Sequence, residues 1–182
     1  PQTPGQNPQR PIELNLFNVY RAKNTLSSNR LMGYGQRTYR WERKDSSLMS
    51  FTGGIRFNYW DLNEEFLISP RANLAYEPNW ERDFLFRFST GFYHQPAFYR
   101  ELRDFEGNLN KDIKAQESIH FVIGADYNFK AWGRPFKFVG EAYYKQMNNI
   151  IPYEIDNVRI RYYAENSATA YAVGTDFKIK DG

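Results

Sequence analysis

The chain has 182 residues, a net charge of +3 and no cysteine. The lack of cysteine excludes a disulfide framework and a thiolate metal site, and the spread of the basic residues along the chain gives no nucleic-acid footprint. No apolar run reaches the roughly 18 residues that identify a transmembrane helix, while aromatic residues, at 18%, are abundant for a soluble domain.

The N-terminal segment is predicted to be irregular apart from one weak strand. Residues 1–10 contain three prolines in eight residues, and proline has no amide proton to donate to a sheet. Residues 12–20 form the weak strand, and residues 22–29 are small and polar, as in a loop. We therefore expect residues 1–29 to be an exposed loop with one weak strand.

From residue 30 onward, apolar and polar side chains alternate in long runs. In the clearest run, Phe51, Ile55 and Phe57 alternate with Thr52 and Arg56. Successive side chains of a strand point to opposite faces, so each run makes one apolar and one polar face. Seven such strands are predicted, at residues 30–43, 48–59, 66–77, 84–93, 116–129, 136–147 and 171–179. Joined in sequence, they form an antiparallel meander.

The length of these runs indicates strands that cross a bilayer. Alternation persists for roughly 11 residues, as a tilted membrane strand requires, whereas strands of soluble sandwiches average about 5–6 residues. Tyr59 and Phe66 lie at one rim and Tyr76 and Phe84 at the other, as in the aromatic girdles of membrane barrels. The predicted fold class is all-β, an antiparallel up-and-down meander that forms part of a transmembrane β-barrel. A soluble β-sandwich is the main alternative.

Connection lengths predict which ends of the strands face the outside of the cell. Short connections lie at residues 45–47, 78–82 and 130–135, and long ones at residues 95–115 and 148–166. Outer-membrane barrels have short periplasmic turns and long extracellular loops, so we expect the long connections outside the cell. The connection at 62–65 is short where this rule requires a long loop.

Five segments follow one another in a distinctive order and spacing. They are Phe-Leu-Ile-Ser-Pro-Arg at 66–71, Tyr-His-Gln-Pro-Ala-Phe-Tyr-Arg-Glu at 93–101, Ile-Lys-Ala-Gln-Glu-Ser-Ile-His at 113–120, Glu-Ala-Tyr-Tyr-Lys at 141–145 and Asp-Asn-Val-Arg-Ile-Arg-Tyr-Tyr at 156–163. Together they resemble the barrel of TonB-dependent outer-membrane receptors, in the form common in Bacteroidetes. The resemblance runs from residue 29 to the end of the chain.

The resemblance implies that residues 30–182 are a segment of a larger barrel, about seven strands of roughly 22. Residues 1–29 would be an extracellular loop with the weak strand. In that family an N-terminal plug fills the barrel, a TonB box on the plug side takes energy from the inner membrane, and extracellular loops and plug bind the solute. The plug, the TonB box, the terminal strand and a signal segment are not recognisable in this sequence, so we expect a fragment.

The implied function is energy-coupled import of a scarce solute, such as a siderophore, a corrinoid or a glycan, across the cell outer membrane. The implied partners are outer-membrane lipid, a small solute and the TonB complex, which would be reached through a plug domain outside this chain. No cofactor and no nucleic acid is expected. A passive porin or adhesin-like barrel and a soluble β-sheet binding module stay open as alternatives, and an enzyme ranks below both.

Eight residues are candidates for contact with the solute. Five open the first long loop and combine aromatic rings with an amide and a cation, namely Tyr93, Gln95, Phe98, Tyr99 and Arg100. Three more, Arg56, Arg71 and Arg87, fall on the polar faces of neighbouring strands. There they would form a basic patch for an anionic solute or pair with acidic residues of a plug.

The two histidines, His94 and His120, are not predicted to be catalytic or to bind metal. No carboxylate or second ligand stands at the spacing of a metal site. Ser118 lies two residues from His120 on one strand face, but no orienting acid is indicated for this pair. Both histidines are expected to be polar residues that face the interior of the barrel.

Overall fold

The structure is a computed structural model that describes residues 23–156 and 158–181. These residues form nine strands: β1 (Arg30–Glu42), β2 (Leu48–Trp60), β3 (Glu65–Glu77), β4 (Asp83–Gln95), β5 (Gln116–Ala131), β6 (Arg134–Ile150), β7 (Tyr153–Asp156), β8 (Arg159–Tyr162) and β9 (Ala168–Asp181). Seven of them make one antiparallel sheet, in the order β1-β2-β3-β4-β5-β6-β9, and β7 and β8 form a separate hairpin. The described part contains no helix, and hence none suited to crossing a membrane.

The predicted all-β meander is confirmed. Each of the seven predicted strands has its counterpart in the sheet, and neighbours in sequence are neighbours in space up to the step from β6 to β9. The sheet is open, with β1 and β9 at its margins, which are the edges expected for a slice of a larger barrel. The weak strand predicted at residues 12–20 lies outside the described residues.

The connection between β5 and β6 is shorter than predicted. Residues 130–135 were expected to form a loop, but only Trp132 and Gly133 lie between the two strands. Both have positive φ angles, 51° and 74°, which matches a two-residue turn whose twist suits the flanking strands. This tight turn fixes the register of β5 against β6, so that Ala131 pairs with Arg134 and His120 pairs with Lys145.

The second long connection is more ordered than the sequence suggested. Of the predicted loop at 148–166, the first three residues belong to β6, and the β7–β8 hairpin occupies much of the rest. Ile155 pairs with Ile160 within the hairpin, and the Arg161 guanidinium lies 3.5 Å from the carboxylate of Asp156. Strands of four residues carry too few alternations to be recognised from periodicity alone.

Cross-strand pairing separates the apolar and polar side chains of the sheet. Phe57 pairs with Ile68 on one face, and Arg87 pairs with Gly124, which pairs with Glu141, on the other. The predicted separation into one apolar and one polar face is confirmed. One face carries Phe57, Phe86, Phe121 and Phe138, and the other carries Arg56, Arg87, His120 and Glu141. We call these the apolar face and the polar face.

The apolar face is uncovered among the described residues. Exposed large side chains occur on it in every strand of the sheet. Examples between 43% and 71% exposed are Ile55, Phe57, Phe66, Ile68, Ile123, Val173, Phe177 and Ile179. A soluble sheet covers such a face with a second layer, and soluble monomers rarely expose contiguous apolar patches of this extent. The sheet therefore has a face that needs an apolar environment.

Aromatic rings line the apolar face near the short turns. Phe84 stacks on Tyr127 at a centroid distance of 4.4 Å, and Tyr127 continues to Phe129 at 5.3 Å. Phe129 in turn stacks on Phe136 at 5.7 Å, so the row crosses β4, β5 and β6. Such stacked pairs add roughly 0.5–1.5 kcal/mol each beyond the area they bury.

The long connections pack into a small core at the opposite end of the sheet, which we call the cap. Its buried apolar residues are Trp60, Ala97, Leu102, Ile113, Ile151 and Ala164. Arg30 anchors β1 to it: its guanidinium lies 4.0 Å from the centre of the Trp60 ring and donates to the Ala97 carbonyl at 2.8 Å. The stretch 95–115, predicted to be irregular, is thus irregular but tightly packed.

The open edges predict the behaviour of the chain when it is produced alone. The outer N–H and C=O groups of β1 and β9 have no strand partner among the described residues, and such edges pair with other chains. In detergent we expect oligomers and aggregates by size-exclusion chromatography with light scattering, with the chain in denaturant as the monomeric reference. A monodisperse monomer with β1 hydrogen-bonded to β9 would contradict this expectation.

Candidate functional site

A cavity of about 360 Å³ opens on the polar face beside the cap. Side chains from β2 to β6 line it, and they include four of the eight candidate residues, Arg56, Arg71, Tyr93 and Gln95. Ligand pockets commonly range from about 300 to 1,000 Å³, so the cavity has room for a small solute or for one group of a larger solute. We call it the polar-face cavity.

The cavity lies where the ladder between β3 and β4 is incomplete. Only residues 71–76 of β3 pair with residues 86–91 of β4, so their cap-side ends have no backbone pairing with each other. His94 bridges this gap: its Nδ1 lies 3.0 Å from the Ser69 hydroxyl, and its Nε2 lies 3.3 Å from the Glu117 carboxylate. Asn148 donates to the same carboxylate at 3.0 Å, so side chains hold β3, β4, β5 and β6 together here.

Ser69, His94 and Glu117 are the residue types of a hydrolase triad. Here their contacts connect β3, β4 and β5 where backbone pairing between β3 and β4 is missing. Ser69 is only 6% exposed, and its hydroxyl is engaged by the His94 ring. In the register of β4, His94 falls on the same face as Phe92, which is the apolar face. Its neighbour Tyr93 falls on the polar face. His94 therefore does not face the interior side directly, as the sequence had suggested, but fills the seam between two strands.

One side of the cavity is a stack of three side chains from β3, β4 and β5. Arg71 lies over the ring of Tyr93 at 4.3 Å, and Tyr93 packs against His120 with ring centroids 4.4 Å apart. Gly91 makes the stack possible, because a Cβ atom there would come within 3.0 Å of Arg71 Cγ. Arg71, Gly91, His120 and Lys145 form one row of cross-strand partners.

His120 meets Ser118 as the sequence analysis described. Their Nε2 and Oγ atoms are 2.7 Å apart, and in the described residues no carboxylate contacts His120 to orient the ring for catalysis. The same residues contain no group of three histidine or acidic side chains that could hold a metal ion.

Arg87 stands apart from the other two candidate arginines of the polar face, Arg56 and Arg71. Its guanidinium lies 2.7 Å from Asp126 and 3.0 Å from Glu141, and Lys137 lies 2.7 Å from the same Asp126. Asp126 is buried. The sequence left open that Arg87 pairs with acidic residues of a plug, but its acidic partners belong to the sheet itself. Arg87 does not line the cavity.

The aromatic cluster at the start of the long loop divides between two places. The Tyr99 ring meets Trp60 edge-on at 6.2 Å, and its hydroxyl lies 2.8 Å from that of Ser28. Tyr99 and Arg100 border a second groove of about 620 Å³ on the cap, shared with Arg161 and Tyr162. Phe98 lines neither of these two pockets, although its ring is 50% exposed.

Sequence reasoning missed Lys145 and Asn58 in the wall of the cavity. Lys145 comes into line with His120 only through the register that the tight turn at Trp132 and Gly133 imposes, and that turn was predicted too long. Asn58 belongs to the polar face of β2, where its Oδ1 is buried without a hydrogen-bond partner among the described residues. Its place in the alternating run was a usable signal.

Comparison with known families, curated proteins and solved structures found no match to this chain.

The ion-pair network around Asp126 predicts a loss of stability. Asp126→Asn should lower the free energy of unfolding by about 1–3 kcal/mol, because Arg87 and Lys137 lose a charged acceptor. Asp176→Asn is the matched control, an exposed aspartate on the same face with no ion pair among the described residues. Denaturant unfolding of the whole protein measures both, and equal effects would contradict the role given to Asp126.

Proposed function

We propose that the chain is a segment of the barrel of a TonB-dependent outer-membrane receptor that imports a scarce solute, such as a siderophore, a corrinoid or a glycan. The observation that carries the proposal is the uncovered apolar face, which extends across all seven strands of the sheet. Lipid is the environment that accepts such a face without a second protein layer.

Strand length supports a membrane location. The seven sheet strands contain 13 to 17 residues, more than the roughly 9–11 that a tilted strand needs to cross the hydrocarbon. The surplus lets both ends reach the headgroup level, where aromatic rings are favoured. The stacked row of Phe84, Tyr127 and Phe129 at the short-turn end and the exposed Phe66 at the cap end fit that arrangement.

The polar face supports the role of an aqueous interior. It carries the ion pairs of Arg87 and Lys137 and the polar-face cavity beside the cap. A soluble binding module would instead leave the apolar face in water, where exposed apolar patches promote association. In the proposed receptor the cap faces outward and the short turns face the periplasm, as connection lengths indicate.

The assignment to TonB-dependent receptors rests on the five sequence segments that resemble that family. Outer-membrane lipid, the solute and the TonB complex are the proposed partners, and the last would act through a plug domain outside this chain. In the proposed receptor the solute contacts the polar face and the cap. No enzymatic step and no cofactor is proposed.

A pair of adjacent substitutions tests whether the apolar face meets lipid. Ile123 is 63% exposed on that face near the middle of β5, and Val122 is its neighbour on the polar face. Ile123→Arg should cost ~2–4 kcal/mol of folding free energy in lipid vesicles, and Val122→Arg should cost clearly less. Urea titration of the whole protein in vesicles gives both values, and a larger cost at Val122 would refute the assignment.

Labelling of intact cells tests the orientation. A cysteine at Lys111, an exposed position in the cap-end connection, should react with an impermeant maleimide. A cysteine at Glu81, exposed in the short turn between β3 and β4, should react only after the outer membrane is broken. The opposite pattern would reverse the orientation, and labelling of neither position on cells that display the protein would contradict surface exposure of the cap.

A further inference from the structure

Three cationic side chains of the polar-face cavity have no carboxylate partner in the part of the chain that the structure describes. Arg56, Arg71 and Lys145 line the cavity, yet none of them takes part in an ion pair there. The one acidic residue of the lining is Glu117, and its carboxylate is already engaged by His94 and Asn148. The cavity therefore carries excess positive charge.

The polar face also contains cations that are paired, in the network around Asp126. Towards the short turns, Arg87 and Lys137 are matched by Asp126 and Glu141 at 2.7 to 3.0 Å. The cations of that network are thus paired with acidic side chains of the sheet, whereas those of the cavity are not. Unpaired cations grouped around a concave, partly desolvated site raise the local concentration of anions.

The cations are arranged on two sides of one space. Arg71 reaches over Gly91 from β3 and is held against Tyr93, while Lys145 projects from β6 beside His120, its cross-strand partner. Arg71 is fixed by stacking, and its guanidinium edge keeps the N–H donors that bind carboxylate and phosphate in bidentate fashion. Strands β4 and β5 lie between them, so an anionic group placed over Tyr93 and His120 would be attracted by both charges.

A neutral contact in the cavity limits the ligand further. The Oδ1 atom of Asn58 is buried without a hydrogen-bond partner among the described residues, and a buried acceptor is normally satisfied. Rotation of the Asn58 side chain, which lines the cavity, would bring this acceptor to a ligand that carries a hydroxyl beside its acidic group. A cavity of about 360 Å³ lies at the small end of the range for ligand sites.

We propose that the polar-face cavity binds a hydroxylated anion of the size of one sugar, a sugar acid or a sugar phosphate. The acidic group is held by Arg71 and Lys145 with Arg56 nearby, and a ring hydroxyl is held by Asn58. As a statement about imported solutes, this inference rests on the proposed function, because it gives the substrate class of the receptor. The binding itself does not depend on transport.

The direct test compares D-glucuronate with D-glucose, which differ by one carboxylate, on the whole receptor in detergent by isothermal titration calorimetry. Glucuronate should bind at least tenfold more tightly, and glucose 6-phosphate should show a similar preference over glucose, because a charge-assisted contact is worth about one factor of ten or more. The preference should shrink as salt screens the site. Equal affinity for glucuronate and glucose overturns the proposal.

Three variants locate the site. Arg71→Gln should abolish most of the preference for glucuronate, whereas Arg71→Lys should keep a part of it. Lys178→Gln is the matched control, since it removes one positive charge from the same face without touching the cavity, and it should keep the full preference. If Lys178→Gln loses as much of the preference as Arg71→Gln, the assignment of the anion to this cavity is overturned. The comparison of glucuronate with glucose on the unsubstituted protein still tests the proposal where a variant fails to fold.

Three further outcomes separate the possible sources of the anion and the two proposals. If an acidic side chain elsewhere in the receptor fills the cavity, Arg71→Gln lowers stability and glucuronate shows no preference, which overturns binding of a free solute. Glucuronate binding by a protein that stays in the soluble fraction supports the cavity and defeats the membrane proposal. A receptor that inserts into the membrane but shows no preference for glucuronate supports the membrane proposal and defeats the proposal for the cavity.

Discussion

The register of the antiparallel ladder is the constraint on which the rest of the structure depends. A slip of one residue in any hairpin would move every apolar side chain to the polar face. The turns fix it: Trp132 and Gly133 set β5 against β6 with two positive φ angles, and Asp45 sets β1 against β2. Hydrogen bonds from the Ser47 hydroxyl and amide hold the pKa of the Asp45 carboxyl below its usual value. These bonds therefore stabilise the turn fully above the usual pKa of an aspartate, and the stabilisation is lost as the pH falls through the lowered pKa.

The polar-face cavity follows from the one place where the ladder is interrupted. Between β3 and β4 only six residue pairs form, and His94 replaces the missing backbone contacts with side-chain contacts to Ser69 and Glu117. That arrangement engages the carboxylate of Glu117, the only acidic residue of the cavity lining among the described residues. In this part of the chain, the cations of the cavity are left without a carboxylate partner because of how the seam is closed.

Periodicity predicted the strands and their faces well, because long runs such as 48–59 and 116–129 repeat the same signal many times. It failed on features that are too short or too irregular to repeat a pattern. These are the four-residue strands β7 and β8, the turn at Trp132 and Gly133, and the packing of the cap around Trp60. Of the candidate site, Arg56, Arg71, Tyr93 and Gln95 come together in one cavity. Arg87 does not, because its partners Asp126 and Glu141 lie on strands far away in sequence, and only the register brings them near.

Site-directed spin labelling of β4 tests most directly whether the two faces of the sheet meet two different solvents. Labels are placed one at a time at residues 84–92 of the whole protein in lipid vesicles, and their collision rates with oxygen, which concentrates in lipid, and with an aqueous nickel complex are measured. The account predicts alternation with a period of two, with oxygen favoured at Phe84, Phe86 and Phe88 and nickel favoured at Leu85, Arg87 and Ser89. Uniform accessibility along β4, or nickel favoured at the phenylalanines, would contradict a lipid-facing sheet.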